Sequence, residues 1–97
     1  MLCTGSIAVS AVLLALSNCI NSLADVIHMS FSGSEPSLIE EQVLQEAFDS
    51  QYVLHVASAG NVPNTTRYPA AYPSVLSVGA IGSDKLLWNR STTNEQV

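Results

Sequence analysis

Two short apolar runs separated by one amphipathic segment constrain this chain more than any other feature. Asp25-Val26-Ile27-His28-Met29-Ser30 is apolar and β-branched and reads as a buried strand. Tyr52 to Ala57 reads the same way. Between them, Pro36 and Ser37 open a helix. Ser37 with Glu40 three residues on forms a capping box, and Glu40 and Glu41 suit the positive end of the helix dipole. Ile39, Val43, Leu44, Ala47 and Phe48 make an apolar stripe, while Glu40, Glu41, Gln42, Gln45, Glu46 and Asp49 make a wet face. Strand, helix and strand at this spacing form a βαβ unit, which implies a right-handed crossover and a parallel sheet. Parallel strands covered on both faces read as unbroken apolar runs, and both runs do. Ser74 to Ala80 supplies a third strand. The expected fold class is α/β with a mostly parallel sheet.

The first 24 residues have two readings. Ile7 to Leu16 is apolar, and Val9, Leu13, Leu16 and Ile20 fall at helical spacing, as in a core helix. The same run, followed by Ser22-Leu23-Ala24, also fits a signal peptide, although no Lys or Arg precedes it. Asn18, Asn21 and Ser22 interrupt the run, and it is too short for a stable membrane span.

Composition narrows the function. The 97 residues are 47% hydrophobic and 11% charged, against about 25% charged in an ordinary soluble domain. So little charge for so much apolar content is expected of a piece of a larger core. The net charge is -5, and Arg67, Lys85 and Arg90 are the whole basic complement, too few for a phosphate-binding stripe. Nucleic acid is excluded as a partner. Cys3 and Cys19 lie in no CxxC and in no zinc-spaced set, so both read as plain thiols.

Chemistry concentrates where the second strand ends. Val53-Leu54-His55-Val56-Ala57-Ser58-Ala59-Gly60-Asn61 runs from a buried-looking strand through small residues to an amide, a placement that suits a donor aimed at a cleft. On these residues alone, a turn-forming Asn is the plainer reading. A turn-rich loop follows, then Tyr68-Pro69-Ala70-Ala71-Tyr72-Pro73, whose two Tyr-Pro bonds are favourable places for a cis peptide. Gly82 to Val97 reads as polar loop with one apolar spot at Leu86-Leu87-Trp88. His28 and His55 read as histidines in or beside strands, and Glu40, Glu41 and Glu46 as a solvated helix face.

Asp25 to Phe31, Ala57-Ser58-Ala59-Gly60-Asn61, Tyr68 to Val75 and Val78-Gly79-Ala80 together resemble, in order and spacing, the middle of a subtilisin-like serine protease. The likeness covers Ala24 to Ala80 well. Residues 6 to 23 look like the helix preceding the first strand, so residues 1–97 read as part of a subtilase catalytic domain, a section of a three-layer fold. The resemblance implies roles residue by residue. Asn61 stands where subtilases keep the oxyanion-hole asparagine. Ser30, Phe31, Ser32 and Gly33 stand in the segment that pairs with an extended peptide substrate, in the manner of an added strand. Ala57, Ser58, Ala59 and Gly60 stand in the opposite wall of the pocket. Ala70, Tyr72 and Val75 match positions whose backbone carbonyls hold a weak calcium or sodium ion in some members. Tyr68-Pro69 matches a bond that is cis in the family. Secretion or passage through the endomembrane system is also implied. His28 and Ser32 depart from the Asn and Gly that members often carry there.

The family places its triad in the order Asp, His, Ser, with the first two before the matched region and the nucleophile after it in a Gly-Thr-Ser word. None of those words is present, and neither His28 nor His55 is followed by Gly-Thr. The expectation is a segment of a serine endopeptidase carrying the oxyanion-hole and groove region without the triad. The alternatives are a non-catalytic relative that binds peptides or regulates a partner, and a small secreted domain. Asn64-Thr65-Thr66 and Asn89-Arg90-Ser91 fit the glycosylation sequon. Taken alone, the 97 residues are expected to aggregate or stay partly unfolded, because apolar strands with an open edge would lie uncovered. They are also expected not to turn over a fluorogenic peptide. Turnover abolished by Asn61→Ala, or a sharp cooperative melt of a monomer, would contradict this.

Overall fold

The structure is a computed structural model and describes residues 8–93. Cys3, Ile7 and the last residues of the polar tail lie outside the described residues. The elements run α1 (Val9–Asn21), β1 (Val26–Met29), α2 (Leu38–Gln51), β2 (Leu54–Ser58) and β3 (Val75–Val78). The three strands form one sheet in the order β1-β2-β3, parallel throughout. The α/β class and the parallel sheet match the expectation. In register, Ile27 lies beside His55 and His55 beside Val75, while Met29 lies beside Ala57 and Ala57 beside Ser77.

That register sorts the side chains. Ile27, Met29, His55, Ala57 and Val75 are buried on one face, as the two-residue strand repeat requires. Val12 and Leu16 of α1 and Leu44 and Ala47 of α2 join that face in a single core, so both helices cover the same side. The other face shows Val26, Leu54, Leu76 and Val78 to solvent, Leu76 at 56% exposure. Both-sided apolarity is therefore real in sequence, yet only one side is covered among the described residues.

α1 buries Val12 and Leu16, with Cys19 and Ile20 packed against the core. Its buried stripe is thus rotated from the spacing read in sequence, and Val9 is exposed. Cys19 is a free, half-buried thiol. None of the described helices is long and apolar enough to cross a membrane.

Half of the expected capping box forms at the start of α2: Glu40 N–H donates to Ser37 Oγ at 3.3 Å, while the Ser37 N–H that the Glu40 side chain would take donates to the Tyr72 hydroxyl. The wet face, however, needs correction. Glu40 is 7% exposed, while Ile39 and Phe48 of the supposed apolar stripe are exposed. Tyr72 lies at this end of the helix. Its hydroxyl accepts from Ser37 N at 2.8 Å and donates to Ser37 O at 3.2 Å, so its side chain docks against the first turn of α2. Burial there raises the Glu40 pKa from its ordinary value. It also raises that of Tyr72, where the Ser37 contact pulls the other way and Glu40, Glu41 and Tyr68 add to the rise. At the far end, Tyr52 leaves the helix in the left-handed conformation (φ 57°), a position ordinarily filled by Gly or Asn.

His55 sits at the centre of the sheet with 0% exposure, and neither ring nitrogen has a hydrogen-bond partner among the described residues. The hydroxyl of Ser74, the residue before its register partner Val75, is also buried and unpartnered. Burial lowers the His55 pKa from 6.5; the Ser74 backbone, near enough to oppose the shift but outside hydrogen-bond geometry, offsets it in part. The unfolded chain then takes up the proton first, so His55 withdraws stability as pH falls below about 6.5. Glu40, raised from 4.5, acts oppositely: its neutral form favours the fold, and stability is lost as pH rises from 4.5 through its folded pKa. Comparing the full-length protein with its His55→Leu variant isolates the histidine. The stability difference, wild type minus variant, is expected to decline from pH 7 to pH 5 in denaturant unfolding. A difference independent of pH would contradict the burial account.

Candidate functional site

β2 carries the site to its position. Ala57 and Ala59 are buried, Ser58 and Gly60 half-buried, and Asn61 is exposed. Ala59 N–H donates to Val78 O at 2.8 Å, continuing the β2–β3 pairing one residue past the ladder. The small side chains at 57–60 follow from packing: Ala57 and Ala59 face the core, where larger groups would displace its neighbours. Gly60 has φ +113°, a conformation that L side chains rarely adopt. A Cβ at Gly60 would also lie 2.9 Å from Thr92 Oγ1 and 3.0 Å from Arg67 Cγ. The chain therefore turns sharply before Asn61, and the amide emerges at the end of the central strand.

The loop after Gly60 is held by the segment that follows β3. Isolated bridge pairing of Ile81 with Leu87 and the bond from Trp88 N–H to Ala80 O (2.9 Å) fold the residues after β3 back on themselves. Ser91 and Thr92 then return to the β2 end, both buried. Thr92 N–H donates to Gly60 O at 3.0 Å. Its hydroxyl accepts from Val62 N–H at 3.1 Å and donates to Val62 O at 2.7 Å. Ser91 Oγ accepts from Ala80 N–H at 2.9 Å. Ser91 drew notice only as the end of the Asn89-Arg90-Ser91 sequon, and no periodicity or motif singled out Thr92, whose partner Val62 is 30 residues away in sequence.

The groove segment lies past the end of β1. Phe31 is half-buried and packs against the core, and Ser30 and Ser32 are exposed. Gly33 is differently engaged: its N–H donates to Tyr68 O at 2.8 Å, and Tyr68 N–H donates to Gly33 O at 2.9 Å. This antiparallel bridge ties the segment to the Tyr68–Val75 turn. His28 lies at hydrogen-bond distance from Ser30, Nε2 to Oγ 3.0 Å, on the exposed side.

The Tyr68–Pro69 bond is cis, as the resemblance implies. The turn is rigid. The Tyr68 and Tyr72 rings stack 5.0 Å apart at 44°, an arrangement worth about 0.5–1.5 kcal/mol beyond burial. Ala71 N–H donates to Arg67 O, Tyr72 N–H to Pro69 O and Val75 N–H to Tyr72 O. Among the described residues, no cluster of three His, Cys, Asp or Glu could hold a metal ion. A cation at this turn would thus depend on the carbonyls of Ala70, Tyr72 and Val75, and the Tyr72 carbonyl already accepts one hydrogen bond.

The steric position of Gly60 makes a direct prediction. Gly60→Ala is expected to destabilise the full-length protein by about 1–3 kcal/mol from backbone strain alone, visible as a lowered melting temperature. A variant with unchanged stability would contradict the tight turn.

Comparisons with known proteins agree with this geometry. The model of the subtilase family matches residues 2–97. Subtilisin DY of Bacillus licheniformis is 38% identical over 87 residues, covering 84% of this chain and 31% of that protein. The minor extracellular protease Epr of Bacillus subtilis (strain 168) is 37% identical over 75 residues, covering 75% of this chain and 12% of Epr. The chain thus spans a third or less of these relatives' length. Among solved structures, the psychrophilic subtilisin-like protease Apa1 from the Antarctic psychrotroph Pseudoalteromonas sp. AS-11 superposes with a TM-score of 0.81 at 35% identity. That match covers 96% of this chain and 21% of Apa1. The fold is also that of the prenylagaramide maturation protease PagA, with a TM-score of 0.86 at 22% identity. With its family model spanning nearly every residue and its parallel sheet ending on the Ala-Gly-Asn turn, the chain belongs to the subtilase family.

Proposed function

We propose that this chain forms the oxyanion-hole and substrate-groove region of a serine endopeptidase. The observation that carries the reading is Asn61, placed by the sharp Gly60 turn at the end of the central strand with an exposed side chain. In the proposed reaction a serine attacks the scissile carbonyl, a histidine takes its proton, and the carbonyl oxygen becomes an oxyanion. The Asn61 amide donates to that oxygen. The triad comes from outside this chain. The substrate is an extended peptide or protein segment lying along Ser30–Ser32, with one side chain in the pocket walled by Ala57, Ser58, Ala59 and Gly60.

Two further features belong to the same reading. A weakly bound calcium or sodium ion is held by the carbonyls of Ala70, Tyr72 and Val75; with no carboxylate in the ligand set, affinity is low. The protein is secreted, a reading supported by its likeness to an extracellular protease of Bacillus subtilis. A non-catalytic, peptide-binding relative would keep the groove and lack turnover.

Asn61→Ala in the full-length protein tests the proposal. On a peptide anilide, kcat is expected to fall about 10²–10³-fold with KM little changed, a magnitude taken over from subtilisin, which is the reference case for such a donor. An unchanged kcat would overturn the oxyanion role. Absence of any turnover in the wild-type protein, with peptide binding retained, would favour the non-catalytic relative.

A further inference from the structure

The loop that presents Asn61 is gripped on both sides by one residue. Thr92 has 0% exposure, and its hydrogen bonds bracket Asn61: N–H to the Gly60 carbonyl before it, and a hydroxyl that both donates to and accepts from Val62 after it. The hydroxyl also fills the space a Cβ at Gly60 would need, 2.9 Å away. Ser91 anchors the other side, because its Oγ accepts from Ala80 N–H and donates to Thr92 O at 3.3 Å. The grip therefore runs from the end of β3 to the end of β2.

We propose that Thr92 is a positioning residue, holding the peptide units on either side of Asn61 so that its amide is aimed before the oxyanion forms. This rests on the reading of Asn61 as the oxyanion donor. The physical reason is preorganisation: a donor stabilises developing charge best when it need not reorient during the reaction. A threonine suits the task because two heavy atoms on Cβ restrict χ1, and one rotamer must serve both the Val62 N–H and the Val62 carbonyl. Valine has nearly the same shape and cannot do either.

The test compares Thr92→Val and Thr92→Ser in the full-length protein, with and without Asn61→Ala. Thr92→Val is expected to lower kcat about 10- to 100-fold, the scale on which small misplacements of reacting groups act, with KM within about twofold. Thr92→Ser keeps the hydroxyl and is expected to recover most of the rate. In the double variant, Thr92→Val should add little to Asn61→Ala, because Thr92 acts through Asn61. A purely structural role would instead lower activity by the same factor in either background. Amide exchange at Val62, read without substrate, reports the grip itself: faster in Thr92→Val, protected in Thr92→Ser. Unchanged Val62 exchange in Thr92→Val would overturn the proposal even with the oxyanion reading intact. A wild-type protein without turnover would sink the oxyanion reading, and the catalytic role of Thr92 with it, while the exchange data still showed whether the grip exists.

Discussion

β2 is hydrogen-bonded on both sides, and everything placed at the candidate site depends on that pairing. Its register with β1 puts Ala57 beside Met29 and so sets the groove segment after Met29 alongside the residues that lead to Asn61. Its register with β3 continues through the Ala59–Val78 bond. Because side chains alternate along a strand, a slip by one residue would exchange every buried and exposed group of β2. It would drive His55 and Ala57 out and Leu54 and Val56 in. The two helices resist such a slip by covering one face, where Leu44 and Ala47 meet the inward side of the sheet.

Loops then do what strands cannot. Two cross-links join segments distant in sequence: Gly33 to Tyr68, and Thr92 to Gly60 and Val62. The first closes the groove segment onto the aromatic turn, and Tyr72 carries that turn on to the start of α2 through Ser37. The second braces the turn that ends β2. The backbone around Asn61 is thereby held at several points, while Asn61, Ser30 and Ser32 remain exposed at the surface. This division fits a catalytic surface, in which rigid surroundings orient a few free donors.

Local signals in the sequence were sufficient for the elements. The capping box at Ser37 and the apolar runs around Ile27 and Val56 depend on neighbours within a few residues, and the helix and strands appear where those signals lie. The cis Tyr68–Pro69 bond was legible through linked family words, the same words that make Asn61 the candidate donor. Contacts across the chain were not. Glu40 reads as solvated until Tyr72 is seen lying over the first turn of α2, a contact spanning 35 residues. Thr92 reads as one polar residue in a polar tail, since nothing near it in sequence marks its partners. His55 reads as a strand-side histidine, yet it is fully enclosed, with both nitrogens unpartnered among the described residues. One misreading came from the helices themselves: in α1 and α2 alike, helical spacing located the helix but rotated its buried face, which only packing against the sheet decides.

The central claim is that Asn61 is an oxyanion donor facing a peptide held along Ser30–Ser32. A crystal structure of the full-length protein with a peptide boronate, whose tetrahedral centre imitates the reaction intermediate, tests it most directly. The account predicts a boronate oxygen at hydrogen-bond distance, about 2.7–3.1 Å, from Asn61 Nδ2, and main-chain pairing between the peptide and Ser30–Ser32. A bound boronate with its oxygens held elsewhere and the Asn61 amide turned away from it would contradict the account.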